Sequence, residues 1–354
     1  FGSALEPDTL GFILAATVLG TMAALVLRRP EQYRSFLRAG VWAFVALVAL
    51  EALIVVVGQF TPETISPAFS IVGSVSDLAF VLGLGVIGVL IALRELEVSA
   101  RSRQALLISG AGALFLLAVA NSSLVWILLA LVSLGLFVES VMRRGSHRTD
   151  ADLEDVAVID EEPLAPEEGN RSLVLPLAVL AVSLFFLLGG ALGGALARAL
   201  NVNELNVRPS WQSTYLVASK AFSTTPVFGT GPGTFGTEWL KHRDASLNET
   251  VFWNIDFSSG IGFIPTSAVT TGLVGTLSWI AFFALLILYG LRMLVLRAPQ
   301  NAFVRYIALF SFLASLYLFA IAVFDLPNTT VLALAFVFAG LFVSTTRFGA
   351  REGQ

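Results

Sequence analysis

The chain has 354 residues, of which 56% are hydrophobic and only 13% are charged, and its mean hydropathy is +0.83. A soluble domain of this length could not bury so much apolar surface, so the composition excludes an ordinary soluble enzyme and indicates an integral membrane protein. Cysteine is absent, which excludes disulfides and thiolate metal sites.

Apolar runs divide the chain into about nine segments that can cross roughly 30 Å of hydrocarbon as helices. We therefore predict an all-α, polytopic integral membrane protein. The predicted spans are 9–27, 41–58, 78–93, 106–119, 124–141, 173–197, 268–291, 307–324 and 331–346. Because the chain starts at Phe1 and no signal-peptide pattern follows, we expect it to be a piece of a longer protein.

Arginine follows the first, third, fifth and seventh spans and ends the chain, whereas the loops 59–77, 120–123 and 325–330 contain no Lys or Arg. Basic residues mark the cytoplasmic side. This predicts an N-terminus outside and a C-terminus inside the cytoplasmic membrane. The predicted parts are an N-terminal bundle (1–148), a cytoplasmic linker (149–170), the sixth span (171–200), an external functional loop (201–265) and a C-terminal bundle (266–354).

The linker is rich in Asp and Glu and poor in large apolar residues, so we expect it to be disordered.

Glu51 is the one carboxylate deep inside a predicted span, and it is either protonated and bonded to a neighbouring helix or functional. Asp77 and Asp325 lie at span edges, where water is expected to solvate them. Gly189, Gly190, Gly193 and Gly194 in the sixth span are expected to form a close helix-packing surface.

The external loop departs from the charge rule, because it carries Arg208, Lys220, Lys241 and Arg243 on the side where basic residues are scarce. Topology does not explain these cations, so an anionic ligand is the leading explanation. The loop also holds three of the six tryptophans, Trp211, Trp239 and Trp253.

The residues after Arg208 have helical apolar spacing, since Trp211, Tyr215, Ala218 and Phe222 fall on one stripe. Pro209 suits the first position of such an amphipathic helix, which we expect to lie on the membrane face or on the transmembrane bundle. Arg208 would then lie beside the helix N-terminus. A guanidinium next to the free N–H groups of a helix N-terminus is a favourable binding site for phosphate or pyrophosphate. The alternative is an ion pair with a nearby carboxylate such as Glu204.

Two further patterns occupy the loop. Gly229, Gly231, Gly233 and Gly236 predict a sharply turning backbone, either as a structural turn or as part of a site. Trp253, Asn254 and Asp256 then interleave an aromatic ring with polar groups. That arrangement suits a sugar, and it equally suits an interfacial aromatic belt.

Taken in order, Arg208-x-x-Trp211, the run Pro226-Val-Phe-Gly-Thr-Gly-Pro-Gly233-x-Phe235 and the run Val269-Thr-Thr-Gly-Leu-Val-Gly275 resemble the O-antigen ligase and polymerase superfamily. Three spans after a large external loop also match that family. Its members have about nine spans before the loop, against six here.

The resemblance implies transfer of a glycan from an undecaprenyl pyrophosphate carrier to a glycan, lipid or protein acceptor, without nucleotide sugar or required metal. Arg208 would hold the pyrophosphate leaving group. Trp211, Gly231, Gly233, Lys241, Arg243, Trp253 and Asn254 complete the expected substrate-binding set. The expected partners are the lipid-linked donor, the acceptor and membrane lipid, with no nucleic acid, metal or cofactor.

The sequence departs from the family where a His-Asn pair usually supplies the general base, because those positions fall at Ile261 and Gly262. The family's Glu is Thr270, and its Ser-Arg-Gly element appears as Ser122-Ser123-Leu124 without Arg. Substitute bases are Asp256 first, then Glu238 and His242.

Three function hypotheses remain open. The first is transfer or polymerisation of a lipid-linked glycan at the external membrane face, in cell-surface polysaccharide assembly. The second is a non-catalytic protein that binds lipid-linked glycan or an envelope-assembly partner. The third is a transporter or flippase that uses Glu51.

Overall fold

The structure is a computed structural model that describes residues 6–7, 9–26, 30–154, 166–202, 207–244, 249, 253–296, 299 and 301–349. Over these residues the chain forms twelve α-helices and a π-helical turn, Arg292–Leu296. The helices are α1 (Leu10–Val26), α2 (Pro30–Phe60), α3 (Val75–Glu95), α4 (Ala100–Ala120), α5 (Ser123–Glu154), α6 (Pro166–Leu188), α7 (Gly190–Ala199), α8 (Trp211–Thr224), α9 (Phe235–His242), α10 (Phe263–Leu291), α11 (Ala302–Phe324) and α12 (Thr329–Gly349).

Within the described residues, six helices are long and apolar enough to cross a membrane, namely α2, α3, α4, α5, α10 and α11. The bent pair α6–α7 makes a seventh if it counts as one span. The all-α, multi-pass class is thus confirmed, but the predicted count of nine is not. The apolar stretches of α1 and α12, Leu10–Val26 and Thr329–Thr345, fall short of the required length.

The predicted sixth span is not one straight helix, because α6 and α7 meet at an angle of 81°. The break lies at Gly189, whose backbone (φ -96°, ψ 35°) leaves the helical region. Of the four glycines there, Gly193 makes a close contact. A methyl group on Gly193 would collide with the amide of Asn121, which caps the C-terminus of α4. Glycine is needed at that position because it has no side chain.

The acidic stretch predicted as a linker is described only at its ends. Helix α5 continues to Glu154 and helix α6 begins at Pro166, so both ends are helical. The central part, 155–165, lies outside the described residues.

The chain divides into two compact units. Unit 1 comprises Phe1–Val41, Val72–Phe80 and Glu204–Gln354, and unit 2 comprises Trp42–Ile71 and Val81–Asn203. Unit 1 contains α1, α8 to α12 and the first turns of α2 and α3. The charged and glycine-rich patterns of the predicted external loop therefore belong to unit 1.

Close helix packing and stacked aromatic rings build unit 1. Helices α1 and α12 approach so closely that a methyl group on Gly20 would lie 2.8 Å from the carbonyl oxygen of Phe336. Trp279 of α10 packs edge-on against Phe263 and Phe319, with ring centroids 5.9 and 5.8 Å away. Phe12 of α1 also meets Phe263 edge-on, at 6.4 Å. These contacts hold the first half of α10 against α1, α11 and α12.

Unit 2 contains Glu51, which is 1% exposed. Its Oε1 accepts hydrogen bonds of 2.9 Å from the Ser70 hydroxyl and from the Ile71 amide. The predicted bond to a neighbouring helix is therefore wrong, because the partner is the loop that follows α2. Its Oε2 is buried with no hydrogen-bond partner among the described residues.

Candidate functional site

The predicted helix after Arg208 is α8, but it begins at Trp211 and not at Pro209. Ser210 is the N-cap residue, and its hydroxyl accepts a 3.1 Å hydrogen bond from the Ser213 amide. Serine serves well at this position because it satisfies one of the free amides of the first turn. Pro209 therefore lies outside the helix.

The buried face of α8 is not the predicted stripe. Trp211 and Tyr215 are 49% and 74% exposed, whereas Thr214, Val217 and Ala221 are buried. Small and β-branched side chains let α8 approach its neighbours closely, and the larger rings point away. The buried Val217 and Ala221 of α8 pack in one hydrophobic core with Phe235, Trp239 and Val269. Trp239, one of the three loop tryptophans, is thus a core residue.

The segment at the family's His-Asn positions is held by backbone contacts. The Ile261 amide donates to the Thr214 hydroxyl, and the Gly260 amide donates to the Thr266 hydroxyl, both at 2.9 Å. A methyl group on Gly262 would collide with the carbonyl of Val323. This segment therefore has room for neither a histidine nor an asparagine side chain at Gly262.

The glycine-rich turn packs against a break in helix α10. Gly229, Gly231 and Gly233 have φ of 68°, 105° and 71°, which L-residues rarely adopt. Gly272, ten residues into α10, also has a non-helical backbone, with φ 64° and ψ -154°. The turn predicted from sequence is confirmed, and it is docked on a transmembrane-length helix.

Four hydrogen bonds join the turn to the backbone of α10 at the break. They are Leu273 N to Pro226 O (2.9 Å), Val274 N to Val227 O (3.1 Å), Thr230 N to Val269 O (3.2 Å) and Gly231 N to Thr270 O (2.9 Å). The carbonyls at 269 and 270 and the amides at 273 and 274, which flank the break, are thus bonded to the turn. An unpaired backbone group in a membrane-spanning helix would cost several kcal/mol, so this pairing is what permits the break.

Arg208 forms an ion pair with Asp325, which ends helix α11. Its Nη1 contacts Asp325 Oδ1 and also donates to the carbonyl oxygen of Phe324 at 3.3 Å. The Arg208 side chain is 31% exposed, whereas that of Asp325 is 10% exposed. The described partner of Arg208 is thus a carboxylate, as the ion-pair alternative predicted, but it is that of Asp325, and Glu204 lies outside the described residues.

Hydrogen bonds to carboxylates hold both ends of the loop between α11 and α12. The Asp325 carboxylate also accepts from the Leu326 amide, at 2.8 Å, while Asp77 accepts from the Asn328 amide, at 2.8 Å. Asp77 and Asp325 are both buried. The prediction that water solvates them at span edges is wrong, because each has hydrogen-bond donors from the protein.

Three candidate residues meet on helix α9. Glu238 is buried, and its Oε1 accepts from Lys241 Nζ at 2.7 Å. Its Oε2 lies 3.4 Å from His242 Nε2. The His242 side chain is 27% exposed and that of Lys241 is 56% exposed. A buried carboxylate therefore faces both a cation and an accessible imidazole.

The remaining candidates lie on the surface after α9. Arg243 donates from Nη1 to the carbonyl oxygen of Trp253 at 3.0 Å. Trp253, Asn254 and Asp256 are exposed. The aromatic and polar groups predicted for sugar binding are therefore accessible to a ligand.

An apolar cavity of about 310 Å³ lies beside the first half of α10. Aromatic rings of Phe263, Trp279 and Phe282 line it, together with Ile13 of α1 and the hydroxyl-bearing Ser267 and Thr270. Phe263 also connects the cavity to the ion pair, since its amide donates to the backbone carbonyl of Asp325 at 3.2 Å. One residue of the cavity lining is thus bonded to the backbone of the residue that pairs with Arg208.

Within the described part of the chain, hydrogen bonds and ion pairs join the sequence-predicted residues into four groups. Arg208 meets Asp325, Glu238 meets Lys241 and His242, Arg243 meets Trp253, and the glycine turn meets α10. Asp325 is the residue that the sequence reasoning did not assign to a site. The available signal was topological, because Asp325 and Arg208 are predicted on the same membrane side. Among the described residues, no group of three His, Asp or Glu side chains is arranged to hold a metal ion.

Comparisons of the chain with family models, with curated proteins and with solved structures gave no match.

Proposed function

We propose that the protein binds a polyprenyl-pyrophosphate-linked glycan and transfers it to an acceptor at the external face of the cytoplasmic membrane. One observation carries this proposal: Phe263, which lines the apolar cavity, donates its amide to the backbone carbonyl of Asp325, and Asp325 is the ion-pair partner of the partly exposed Arg208. An amphiphile with an anionic head and a hydrocarbon chain requires both features. The resemblance of the Arg208 to Gly275 pattern to O-antigen ligases and polymerases supports the same assignment.

Arg208 would hold the pyrophosphate. Both of its described contacts use Nη1, and a guanidinium has further N–H donors on Nε and Nη2. When the acceptor hydroxyl attacks the anomeric carbon, the bond from that carbon to the pyrophosphate oxygen breaks. Negative charge then grows on the leaving group, where a fixed cation stabilises the transition state.

His242 would take the proton of the acceptor hydroxyl. Its Nε2 faces the Glu238 carboxylate, so a neutral imidazole that donates from Nε2 leaves Nδ1 free to accept a proton. The 3.4 Å separation is longer than a typical hydrogen bond, as is common for catalytic pairs before substrate binds. Exposed Asp256 is the alternative base.

The test is carrier release by purified protein in nanodiscs, with a fluorescent glycan on undecaprenyl pyrophosphate. We expect Arg208→Ala and His242→Gln to lower the rate by about 100-fold or more, as loss of a charge-stabilising group or a general base does. Asp256→Asn is the matched control and should retain activity. Loss with Asp256→Asn and not with His242→Gln would move the base to Asp256. Unchanged release by Arg208→Ala would contradict the proposal.

A second candidate function is binding of lipid-linked glycan without chemistry. It is favoured by the residues at the family's His-Asn positions, because the Ile261 side chain has no group that can accept a proton and Gly262 has no room for a side chain. The same assay separates the two candidates. Donor binding that depends on Arg208, with no carrier release by the wild-type protein, would establish the binding function.

A further inference from the structure

Helix α10 has two halves that differ in their surroundings. None of residues 263–272 is exposed, whereas most residues from 273 to 291 are. The exposed positions of the second half are almost all apolar, for example Leu273, Leu277 and Ile280. Residues 273–291 give about 28 Å of helix at 1.5 Å per residue, which matches the hydrocarbon thickness of a bilayer. The lipid-facing surface of α10 therefore begins directly after Gly272.

The glycine-rich turn presents an apolar tip at the same position. Val227 and Phe228 are 48% and 73% exposed, although they lie in a loop rich in polar residues. The backbone bond between Val274 N and Val227 O places this tip beside the first lipid-facing residues of α10. Val227, Phe228, Leu273 and Val274 thus belong to one continuous exposed apolar surface.

Several backbone groups of the tip are hydrogen-bonded within the protein, as an apolar environment requires. The carbonyls of Pro226 and Val227 accept from α10, and the Gly229 amide donates to Thr225 O at 3.1 Å. Pro226 has no amide hydrogen to satisfy. Non-helical backbone is tolerated at membrane depth where it is bonded within the protein, and the carbonyls of Pro226 and Val227 and the amide of Gly229 are bonded in that way.

We propose that residues 226–228 insert into the lipid bilayer, with the Phe228 ring as the membrane anchor. The partner of this surface is the bilayer and not another protein, because the surface continues into the lipid-facing side of α10. The insertion holds the glycine turn at the membrane surface. This inference stands independently of the proposed function, since it uses neither Arg208 nor the cavity.

The absence of cysteine makes the test direct, because a single introduced cysteine is the only site for a spin label. Phe228→Cys would be labelled with a nitroxide in phosphatidylethanolamine–phosphatidylglycerol proteoliposomes. The collision rates of the label with oxygen, which concentrates in lipid, and with a water-soluble nickel chelate report its environment. Leu277→Cys is the lipid-facing control, and Lys220→Cys, on the exposed side of α8, is the aqueous control.

We expect the oxygen-to-nickel ratio at Phe228→Cys to be several-fold higher than at Lys220→Cys and to approach that of Leu277→Cys. Val227→Cys is the second variant in case the first does not fold, and its label should show the same preference for lipid. A ratio at both positions equal to that of Lys220→Cys would overturn the proposal. Carrier release is not needed for this result, so its failure and the failure of the proposed function are distinguishable.

Discussion

The backbones of Gly229 and Gly272 lie so close together that neither residue can carry a side chain. A methyl group on Gly229 would lie 2.5 Å from the Gly272 amide nitrogen, and a methyl group on Gly272 would collide with the Gly229 amide nitrogen. Both residues also have positive φ. This contact joins the glycine-rich turn to the break in α10, and with it the loop to the membrane-spanning part of unit 1.

The contact predicts that Gly229→Ala and Gly272→Ala destabilise the protein strongly. A positive φ alone costs an L-residue about 1–2 kcal/mol, and the collision adds about 1–3 kcal/mol, as overpacking of a filled site does. Gly233→Ala is the matched control, since Gly233 has a φ of 71° and no atom within 4 Å of an added methyl group.

The measurement is thermal unfolding in nanodiscs, followed by intrinsic tryptophan fluorescence. The melting temperature should fall further for Gly229→Ala and Gly272→Ala than for Gly233→Ala. Equal losses in the three variants would show that backbone conformation, and not the contact between the two glycines, determines stability there.

The Arg208–Asp325 pair predicts coupled effects of substitution. Asp325 is buried, so Arg208→Ala leaves a carboxylate with one fewer donor in a site that excludes water. Removing both charges in Arg208→Ala with Asp325→Asn should recover part of the loss, by about 1–2 kcal/mol. A double-mutant cycle of thermal stabilities measures the coupling. Strictly additive losses would mean that the two side chains are not paired in the membrane.

Glu51 predicts a difference between two substitutions. Glu51→Gln keeps an oxygen that accepts from the Ser70 hydroxyl and the Ile71 amide, so its stability should stay close to that of the wild type. Glu51→Leu removes the acceptor of both hydrogen bonds and should cost about 1–3 kcal/mol. Melting temperatures in nanodiscs check both. If Glu51→Gln instead abolishes substrate movement across the membrane without loss of stability, the transporter hypothesis replaces the structural role.

The class of the protein was predictable from sequence because membrane-spanning helices must be long and apolar. The bends were not predictable. The glycines at 189–194 and at 272 look alike in an apolar run, yet the chain bends by 81° after α6 and continues as one long apolar helix across a kink at Gly272. Which outcome occurs depends on the partner segment that supplies hydrogen bonds, and that segment lies far away in sequence.

The sequence predicted several residues of the candidate site, but it did not predict which of them pair with one another. The unusual cations of the loop led to Arg208, but its partner Asp325 follows more than a hundred residues later. The apolar stripe of α8 does not form its buried face, because burial there follows closeness of approach. Thr214, Val217 and Ala221 pack into the core of α9 and α10, and the larger Trp211 and Tyr215 stay outside it.

In the proposed function, Arg208 binds the pyrophosphate of a polyprenyl carrier whose chain occupies the neighbouring cavity. Native mass spectrometry of the protein with undecaprenyl pyrophosphate and with undecaprenol, comparing the wild type with Arg208→Ala and Arg208→Lys, tests this binding. The wild type should prefer the pyrophosphate, Arg208→Ala should lose this preference, and Arg208→Lys should keep part of it. Equal binding of the two lipids by the wild type, or an unchanged preference in Arg208→Ala, would show that Arg208 does not bind the pyrophosphate.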